Sequence, residues 1–537
     1  MKRLKLGFMS VLLLAVVVVS ACSNAAPEKE ENGGEKAAET LVNGKMVEPV
    51  TMTIAKSVNP NDNSLPEGDT VDNNAFTRLL KEKTNVEFKA TLTGAAGDAY
   101  NQKLQVAIAS DDIPDVMLVT ESQLKQLVDS DMLEDLTDVY NKYANDWFRE
   151  VYKSGNDQAL KNATFDGKLM AIPGAVFESD SIQLLWIRKD WLDKLGLEVP
   201  KTLEDIEKVA KAFIEKDPDG NGKPDTVGLT GIPGLVGVTH GFDSIFSAFH
   251  AYPDFWIKDA SGKVVHGSTA PETKQALELL RKWYEGGIIE KEFALRKDPN
   301  ELVVGGKAGM HFGEWWTPWG FGTQAVKVDP KADWQAYPVP LDKEGTFNGK
   351  MVQISPTYAV VKKGYKYPEA LMAVLNASAT DAEFQNISNS INPGHMPVRL
   401  VTDWADAVTR RTANFQQYLG GNTDTSSFDI EATRLLDAIK SYSEKGTADL
   451  DSYGPAHSYL VGGGALLQPM NKVRNLYYSQ TKTMEAKWTS ITKVQNETFL
   501  KIIMGSAPLE AFDEYVTQFD KLGGNVIAKE VEEAISK

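Results

Sequence analysis

Short β-favouring apolar runs alternate along this chain with stretches whose apolar residues return every three or four positions, and that alternation limits the fold more than any other feature. VTMTIAKSV at 50–58 places Met52 and Ile54 among β-favouring residues ahead of Asn59-Pro60, and IPDVMLV at 113–119 is a short apolar run after a serine–aspartate turn. Both patterns predict buried strands. Between them Phe76, Leu79 and Leu80, then Tyr100, Leu104, Val106 and Ile108, predict two helices. Strand, helix and strand in this order define an α/β class, a parallel sheet with crossover helices. Farther on, Thr202 precedes Leu203, Ile206, Val209, Ala210 and Phe213, an apolar stripe at helical spacing with Glu204 and Asp205 in the first turn, as the helix dipole favours. A last stripe, Phe512, Tyr515, Val516, Phe519 and Leu522, is predicted to stop at Gly523-Gly524, and the C-terminal hundred or so residues read as mostly helical.

The first 47 residues stand apart. Lys2, Arg3 and Lys5 precede LGFMSVLLLAVVVVSA, the basic front and short apolar core of an export signal over 1–21. Val19-Ser20-Ala21-Cys22 resembles a bacterial lipobox, which implies cleavage before Cys22 and a diacylglycerol thioether on its sulfur. Cys22 is the only cysteine in 537 residues, so an exported chain of this sequence forms no internal disulfide. Two or more acyl chains would hold it on the outer face of the cell membrane. Residues 22–47, small and charged, read as a flexible tether. The remainder, 48–537, is long enough for two or more core-sized units. With 57 basic against 74 acidic residues, a net charge of −17 and no Lys/Arg block to track phosphates, nucleic acid is excluded as a partner.

The stripe that begins at Leu203 runs into DPDGNGKPD, residues 217–225. Counting Asp217 as the first position, side-chain oxygens fall at Asp217, Asp219, Asn221 and Asp225, Gly222 supplies the turn, and the Lys223 carbonyl can point inward. A hard cation wanting six to eight oxygens suits that alternation. The twelfth position is Gly228 in place of a bidentate Glu, and Thr226-Val227-Gly228-Leu229 does not start a helix. Calcium with a structural role fits better than an EF-hand sensor, and a metal-free polar turn is the competing reading. The histidines, His240, His250, His266, His311, His395 and His457, form no HExxH or other short metal spacing, and neither a GxSxG elbow nor a GxxxxGK[ST] loop occurs.

The segment LLWIRKDWLDKLGLEVPKTLEDIEKVAKAFIEKDPDGNGKPD (184–225) resembles the central signature of the bacterial family 1 extracellular solute-binding proteins. SDDIPDVMLV (110–119), FDGKLMAIPGAV (165–176), GGKAGMHFGEWW (305–316), PEALMAVLN (368–376) and FLKIIMGSAPLEAFDEYV (499–516) extend the likeness over most of residues 50–537. The nearest resemblance is to the oligosaccharide-binding branch that includes alginate-binding proteins. It implies a type II, periplasmic-binding-protein-like fold of two α/β lobes with hinge crossovers and a helix-rich C-terminal part, closing on its solute. Lobe 1 is expected over 48–174 plus 353–398 and lobe 2 over 175–352 plus 399–537. The resemblance also implies a monomer that catalyses nothing itself and hands an oligosaccharide to the permease of an ABC importer. In the alginate-binding relatives a loop like 217–225 holds structural calcium with an acidic residue directly after the last aspartate, where this chain has Thr226.

Binding an oligosaccharide requires flat apolar faces for sugar C–H surfaces and short polar groups for hydroxyls. GEWWTPWG (313–320) carries three of the eleven tryptophans within five residues. Trp315 matches the tryptophan that faces the sugar in related maltose-type receptors. Trp316 is a second candidate, and packing is the competing role, weightier for Trp316 and Trp319. Glu178, after the first crossing, resembles a hinge-side carboxylate that accepts sugar hydroxyls. Asn59 and Glu121 follow strands at their carboxyl ends, where open α/β sheets bind ligands. His395 and Arg399 flank the return crossing NPGHMPVRL, while Trp186 and Trp191 read as packing residues. A secreted carbohydrate-active enzyme, a surface sugar sensor and a peptide-binding receptor stay open as alternatives.

Overall fold

The computed structural model describes residues 39–59, 64–388 and 391–536; the export signal and Cys22 lie outside the described residues. Its principal strands are β1 (Val50–Val58), β2 (Val86–Ala95), β3 (Val116–Val119), β4 (Ile172–Pro173), β5 (Leu184–Arg188), β6 (Met310–Gly313), β7 (Trp334–Tyr337), β8 (Asn348–Lys350), β9 (Tyr358–Val361) and β10 (Asn471–Val473). Five of them form a sheet in the order β2-β1-β3-β9-β4. β1 runs parallel to β2 and β3, but β9 is antiparallel to both β3 and β4. The expected parallel sheet is therefore mixed. Its antiparallel member returns from the far part of the molecule and enters the sheet from the opposite end. A second sheet, β6-β5-β7, is antiparallel throughout.

The predicted helices form as Ala75–Thr84, Asp98–Ala109 and Leu203–Glu215. In the last, the Thr202 hydroxyl accepts from the Asp205 N–H and the Asp205 carboxylate accepts from the Thr202 N–H, a capping box that fixes where the helix starts. Ile206, Val209, Ala210 and Phe213 are its buried face. Val106 departs from expectation: it is 69% exposed, because the buried stripe of its helix is Leu104, Ala107 and Ile108, and two positions beyond Leu104 lies on the other side. At the C-terminus Ala511–Leu522 ends at Gly523 (φ +117°), yet Gly524 opens another helix, Gly524–Ile535, that adds Ile527 and Val531 to the core. The glycine pair makes a corner between two helices.

One hydrophobic core draws on 41–175 and 358–407, and two others on residues between 182 and 531. The first includes Leu41 and Met46, 5% and 2% exposed, which sit on a short hairpin, Leu41–Val42 with Lys45–Met46, inside the stretch that composition assigns to the tether. Two large side chains on one face suffice to fix it, at roughly 1.5–3 kcal/mol each. Trp186 and Trp191 are both 1% exposed and serve packing.

The chain passes between the first core and the others three times, and the passages are hydrogen-bonded side by side. Ala175 N–H donates to the Val401 carbonyl and Asp403 N–H to the Ala175 carbonyl, both at 2.9 Å. Gly174 N–H donates to Thr357 at 2.7 Å and Val176 N–H to Ile354 at 2.9 Å. Segment 174–176 is thus the centre of a ribbon with 401–403 on one edge and 354–357 on the other. Phe177, just beyond it, packs against both the first and third cores.

Candidate functional site

At the 401–403 edge of the ribbon lies a cavity of about 570 Å³ lined by Trp147, Phe177, Trp315, Trp316, Trp319 and Tyr459, with Asp180, Arg399, Thr402, Asp403, Arg411, Asp429 and Glu431 among its polar groups. Trp147 is on helix Asp146–Ser154 and packs against the first core, its ring 4.6 Å from that of Trp404. The other tryptophans follow β6, where Gly313 ends the strand and Thr317–Trp319 winds into a short 3₁₀ turn. That turn spreads the three indoles. Trp315 is 3% exposed, ringed by Tyr459 at 4.9 Å, Trp319 at 6.0 Å and Phe177 at 6.2 Å, and its Nε1–H donates to Asp180 Oδ1 at 3.1 Å. Trp316 and Trp319 are 37% and 40% exposed and present open aromatic surface to the cavity.

The glycine run 462–464, which carries no nucleotide fingerprint, has its use here. A Cβ on Gly462 would lie 2.2 Å from the Trp315 carbonyl oxygen, and one on Gly463 2.2 Å from Thr412 Oγ1. Only glycine lets the π-helical segment Ser458–Gly463 press Tyr459 against Trp315. Charge in the cavity is organised by Arg411, whose guanidinium bonds Asp403 at 2.8 Å and Asp429 at 2.5 Å. Burial pushes the Asp180 and Asp403 carboxyls up from the usual carboxylate range, opposed by the indole donors in the first case and by Arg411 in the second. Sequence reasoning missed Trp147, Phe177, Asp180, Arg411 and Tyr459, because their convergence depends on tertiary structure.

The opposite edge of the ribbon bounds a second cavity, about 630 Å³, lined by Glu121, Asn156, Asn162, Glu178, Gln353, Arg474, Tyr477 and Tyr478. Arg474 binds Glu178 at 2.6 Å, Gln353 donates to Glu121, and the Tyr478 hydroxyl donates to the Met351 carbonyl at 2.9 Å. Burial pushes the Glu121 carboxyl up, against the hydrogen bonds from Gln353 and Ser479. The sequence candidates therefore divide: Trp315, Trp316 and Arg399 line the aromatic cavity, Glu121 and Glu178 the polar one. Asn59 is exposed at the end of β1 and lines neither of them. His395 is buried beside the aromatic cavity, which Pro393 and Met396 line; its carbonyl accepts from Asn74. The nearby Lys56, 9% exposed on β1, donates to the Met396 carbonyl, and burial first, then the Arg399 charge, lower its pKa to about 8.

In the loop 217–225, Asp217 accepts from the Gly222 N–H at 3.0 Å, and the Asn221 amide donates to Asp219 at 2.7 Å and to Asp225 at 2.9 Å. Asp217 Oδ1 is enclosed with no hydrogen-bond donor on it. Burial and the Asp217 carboxylate beside it raise the Asp219 pKa. Crowded carboxylates and a donorless buried oxygen fit a hard cation, which Asp217, Asp219, Asn221, Asp225 and the Lys223 carbonyl could hold. Thr226 takes no part: its hydroxyl donates to the Phe213 carbonyl at 2.9 Å and caps the preceding helix. Gly228, in the place of the EF-hand glutamate, would bring a Cβ within 2.8 Å of Ala210 Cβ, and the chain leaves in strand-like pairing of Val227 with Ala308.

The sequence model described as bacterial extracellular solute-binding protein matches residues 75–391, more than half of the chain, and this chain belongs to that family. The lipoprotein LipO of Bacillus subtilis (strain 168) is 28% identical over 306 residues, 56% of this chain and 54% of LipO, so the chain aligns with about half of that relative. The polygalacturonan/rhamnogalacturonan-binding protein YtcQ of the same organism is 25% identical over 476 residues, 85% of this chain and 87% of YtcQ. The crystal structure of alginate-binding protein AlgQ2 without calcium ion superposes with a TM-score of 0.57 at 19% identity, covering 92% of this chain and 99% of AlgQ2. The fold is the two-lobed, type II arrangement of solute-binding proteins. Among the described residues no helix is long and apolar enough to cross a membrane.

Proposed function

We propose that this chain is a lipid-anchored receptor that captures an oligosaccharide between its lobes and delivers it to an ABC importer. The observation that carries the reading is the aromatic cavity at the hinge edge, lined by Trp147, which packs on the first core, by Trp315 of the third core, and by Trp316 and Trp319 beside it. Stacking on Trp316 and Trp319 would hold sugar faces, Trp315 would back them, and Arg399 and Asp180 would take hydroxyls. Glu121 and Glu178 would meet the solute only if it reaches past the ribbon to the polar edge; Asn59 and His395 are given no contact. The lobes are 48–174 plus 353–398 and 175–352 plus 399–537; the first core supports the pairing of the two segments of lobe 1, while Ala175, Trp404 and Ala407, at the crossings, also pack into it. Closure would follow from tighter binding to the closed state.

The names of YtcQ and AlgQ2, both binding proteins for acidic glycans, support an oligosaccharide, and the name of LipO supports an anchor at Cys22. The chain acts as a monomer, catalyses no reaction, and meets the permease subunits when closed. Calcium at Asp217–Asp225 is a structural staple in this reading. Chelation then lowers Tm modestly and leaves sugar affinity nearly unchanged.

The test is calorimetric titration of neutral and acidic oligosaccharides into the calcium-loaded protein, with chromatography of the sugar afterwards. Saturable binding of an intact glycan, lost in Trp316→Ala, supports the receptor. Cleavage of the bound glycan would turn the reading to an enzyme.

A further inference from the structure

We infer that one ordered water molecule is bound beneath the tryptophan turn, between His311 and Trp334, and that it holds the turn in the shape that exposes Trp316 and Trp319. A small cavity lies there, with His311 of β6, Trp334 of β7, Trp186 of β5, Thr317, Phe321 and Tyr453 in its wall. The centre of a water molecule can range over about 10 Å³ in it, which is room for a single water. Most of the wall is buried, and the half-buried Phe321 and Gly322 form its solvent side.

Both ring nitrogens of His311 and the Nε1 of Trp334 are enclosed without a hydrogen-bond partner among the described residues. Those two residues are 2% and 3% exposed, and an unmet polar atom at such depth is costly. Ordered water is the common partner of groups like these. The neighbouring histidines show that the omission is local. His240, its ring 5.2 Å from that of His311, accepts from the Thr230 hydroxyl at 2.8 Å and donates to Asn300 Oδ1 at 2.9 Å. His457 accepts from the Tyr442 hydroxyl at 2.8 Å and donates to the Trp334 carbonyl at 2.6 Å. Of the three histidines in this aromatic cluster, only the one that lines the cavity has neither nitrogen paired. His266 is unpartnered too, but the rings of Trp256, Trp488 and Phe519 close around it at 4.9, 5.1 and 5.5 Å, and it lines none of the cavities described. Aromatic faces serve its nitrogens instead.

Burial, then the His240 ring beside it, push the His311 pKa down, so the imidazole is neutral and has one N–H and one bare nitrogen. A water can therefore accept from the Trp334 N–H and meet one His311 nitrogen in either role, while the second nitrogen stays among the rings of Phe321 and His240. Thr317 supplies the third partner. Its hydroxyl gives its hydrogen to the Glu314 carbonyl and keeps a lone pair for the water. Three partners are the usual complement of an internal water. Because Thr317 opens the turn that spreads the indoles, the water ties that turn to β6 and β7. The site stands without the oligosaccharide reading; its effect on sugar affinity rests on it.

The test is a high-resolution crystal structure of the calcium-loaded protein and of His311→Phe, which replaces the polar ring by an apolar one. The expected result in the parent is one ordered peak within about 2.7–3.2 Å of Trp334 Nε1 and of Thr317 Oγ1 or a His311 nitrogen. In His311→Phe the peak should vanish, the Thr317–Trp319 turn should lose order, and oligosaccharide affinity should fall about threefold or more. Thr317→Val is the second variant should His311→Phe not fold, with the same outcome expected. A parent cavity without the peak would overturn the site and leave His311 to aromatic faces, as His266 is. A peak lost with the turn and the affinity unchanged would overturn its supporting role. If the parent binds no sugar, the receptor reading fails alone, and the density and the order of the turn still decide the water.

Discussion

The two edges of the hinge ribbon carry cavities of similar size and opposite character. At the 401–403 edge the central ion cluster is buried, Arg411 at 4% exposed and Asp429 at 7%, while Arg399 and Glu431 reach solvent, and aromatic rings form the walls. At the 354–357 edge Glu178 meets an Arg474 that is 49% exposed, among amides and tyrosines. The contrast separates two jobs. A water-poor edge strengthens stacking and fixes geometry, while a wet edge lets ion pairs break and re-form at little cost as the lobes move.

The largest test of that contrast is Arg411→Ala. Removing the guanidinium leaves Asp403 and Asp429 buried beside each other, and loss of one partner from a buried ionic cluster costs about 3–5 kcal/mol. Urea unfolding should show that drop; a change below about 1 kcal/mol would mean that water reaches this edge freely.

Next in size, Lys56→Met should stabilise the protein. The folded pKa of Lys56, about 8 against the ordinary 10.5 of a free lysine, lies below its unfolded value, so the unfolded chain binds more protons between them. The penalty is present in full below pH 8 and fades as pH rises toward 10.5. The gain from Lys56→Met is therefore on the order of 3 kcal/mol at pH 7 and shrinks at high pH. A gain that does not depend on pH would show that Lys56 is hydrated when folded.

Trp316→Ala should weaken oligosaccharide binding by at least about tenfold with Tm nearly unchanged, since its ring is half-open to the cavity. Trp315→Ala should lower Tm as well, because that indole is also part of the core. Equal effects of the two substitutions on Tm would erase the distinction between wall and face.

These distinctions were only partly legible in the sequence. β1 was readable from end to end because Val50–Val58 has β-favouring residues in a run closed by Asn-Pro, and Leu203–Glu215 because Thr202 and the apolar stripe mark its start and buried face. The GEWWTPWG cluster stood out because three of the eleven tryptophans fall within five residues, and the structure places Trp315, Trp316 and Trp319 on one cavity. The sequence weighted packing toward Trp316 and Trp319, whereas the structure buries Trp315 and leaves the other two open, since the outcome depends on Tyr459, brought in from 140 or so positions away by a glycine run with no local signal. The antiparallel β9 and the core role of Leu41 and Met46 were hidden for the same reason: both depend on partners that periodicity does not reveal.

The smallest expected effect belongs to the polar edge. Arg474→Ala removes a pair whose cation is half-exposed, and such pairs contribute about 0–1 kcal/mol, so urea unfolding should move little. Glu178 remains 13% exposed and loses its nearest cation, with Lys472 at 4.0 Å left to screen it. Because Glu178 lies two residues past the central ribbon segment while Arg474 follows β10, their bond links a crossing to the distal body, and its loss should change how readily the lobes close more than how firmly they fold. Small-angle scattering with and without sugar should then show an altered open fraction in Arg474→Ala at unchanged stability. A stability loss as large as that of Arg411→Ala would show instead that both edges are dry, and that the two cavities differ in shape alone.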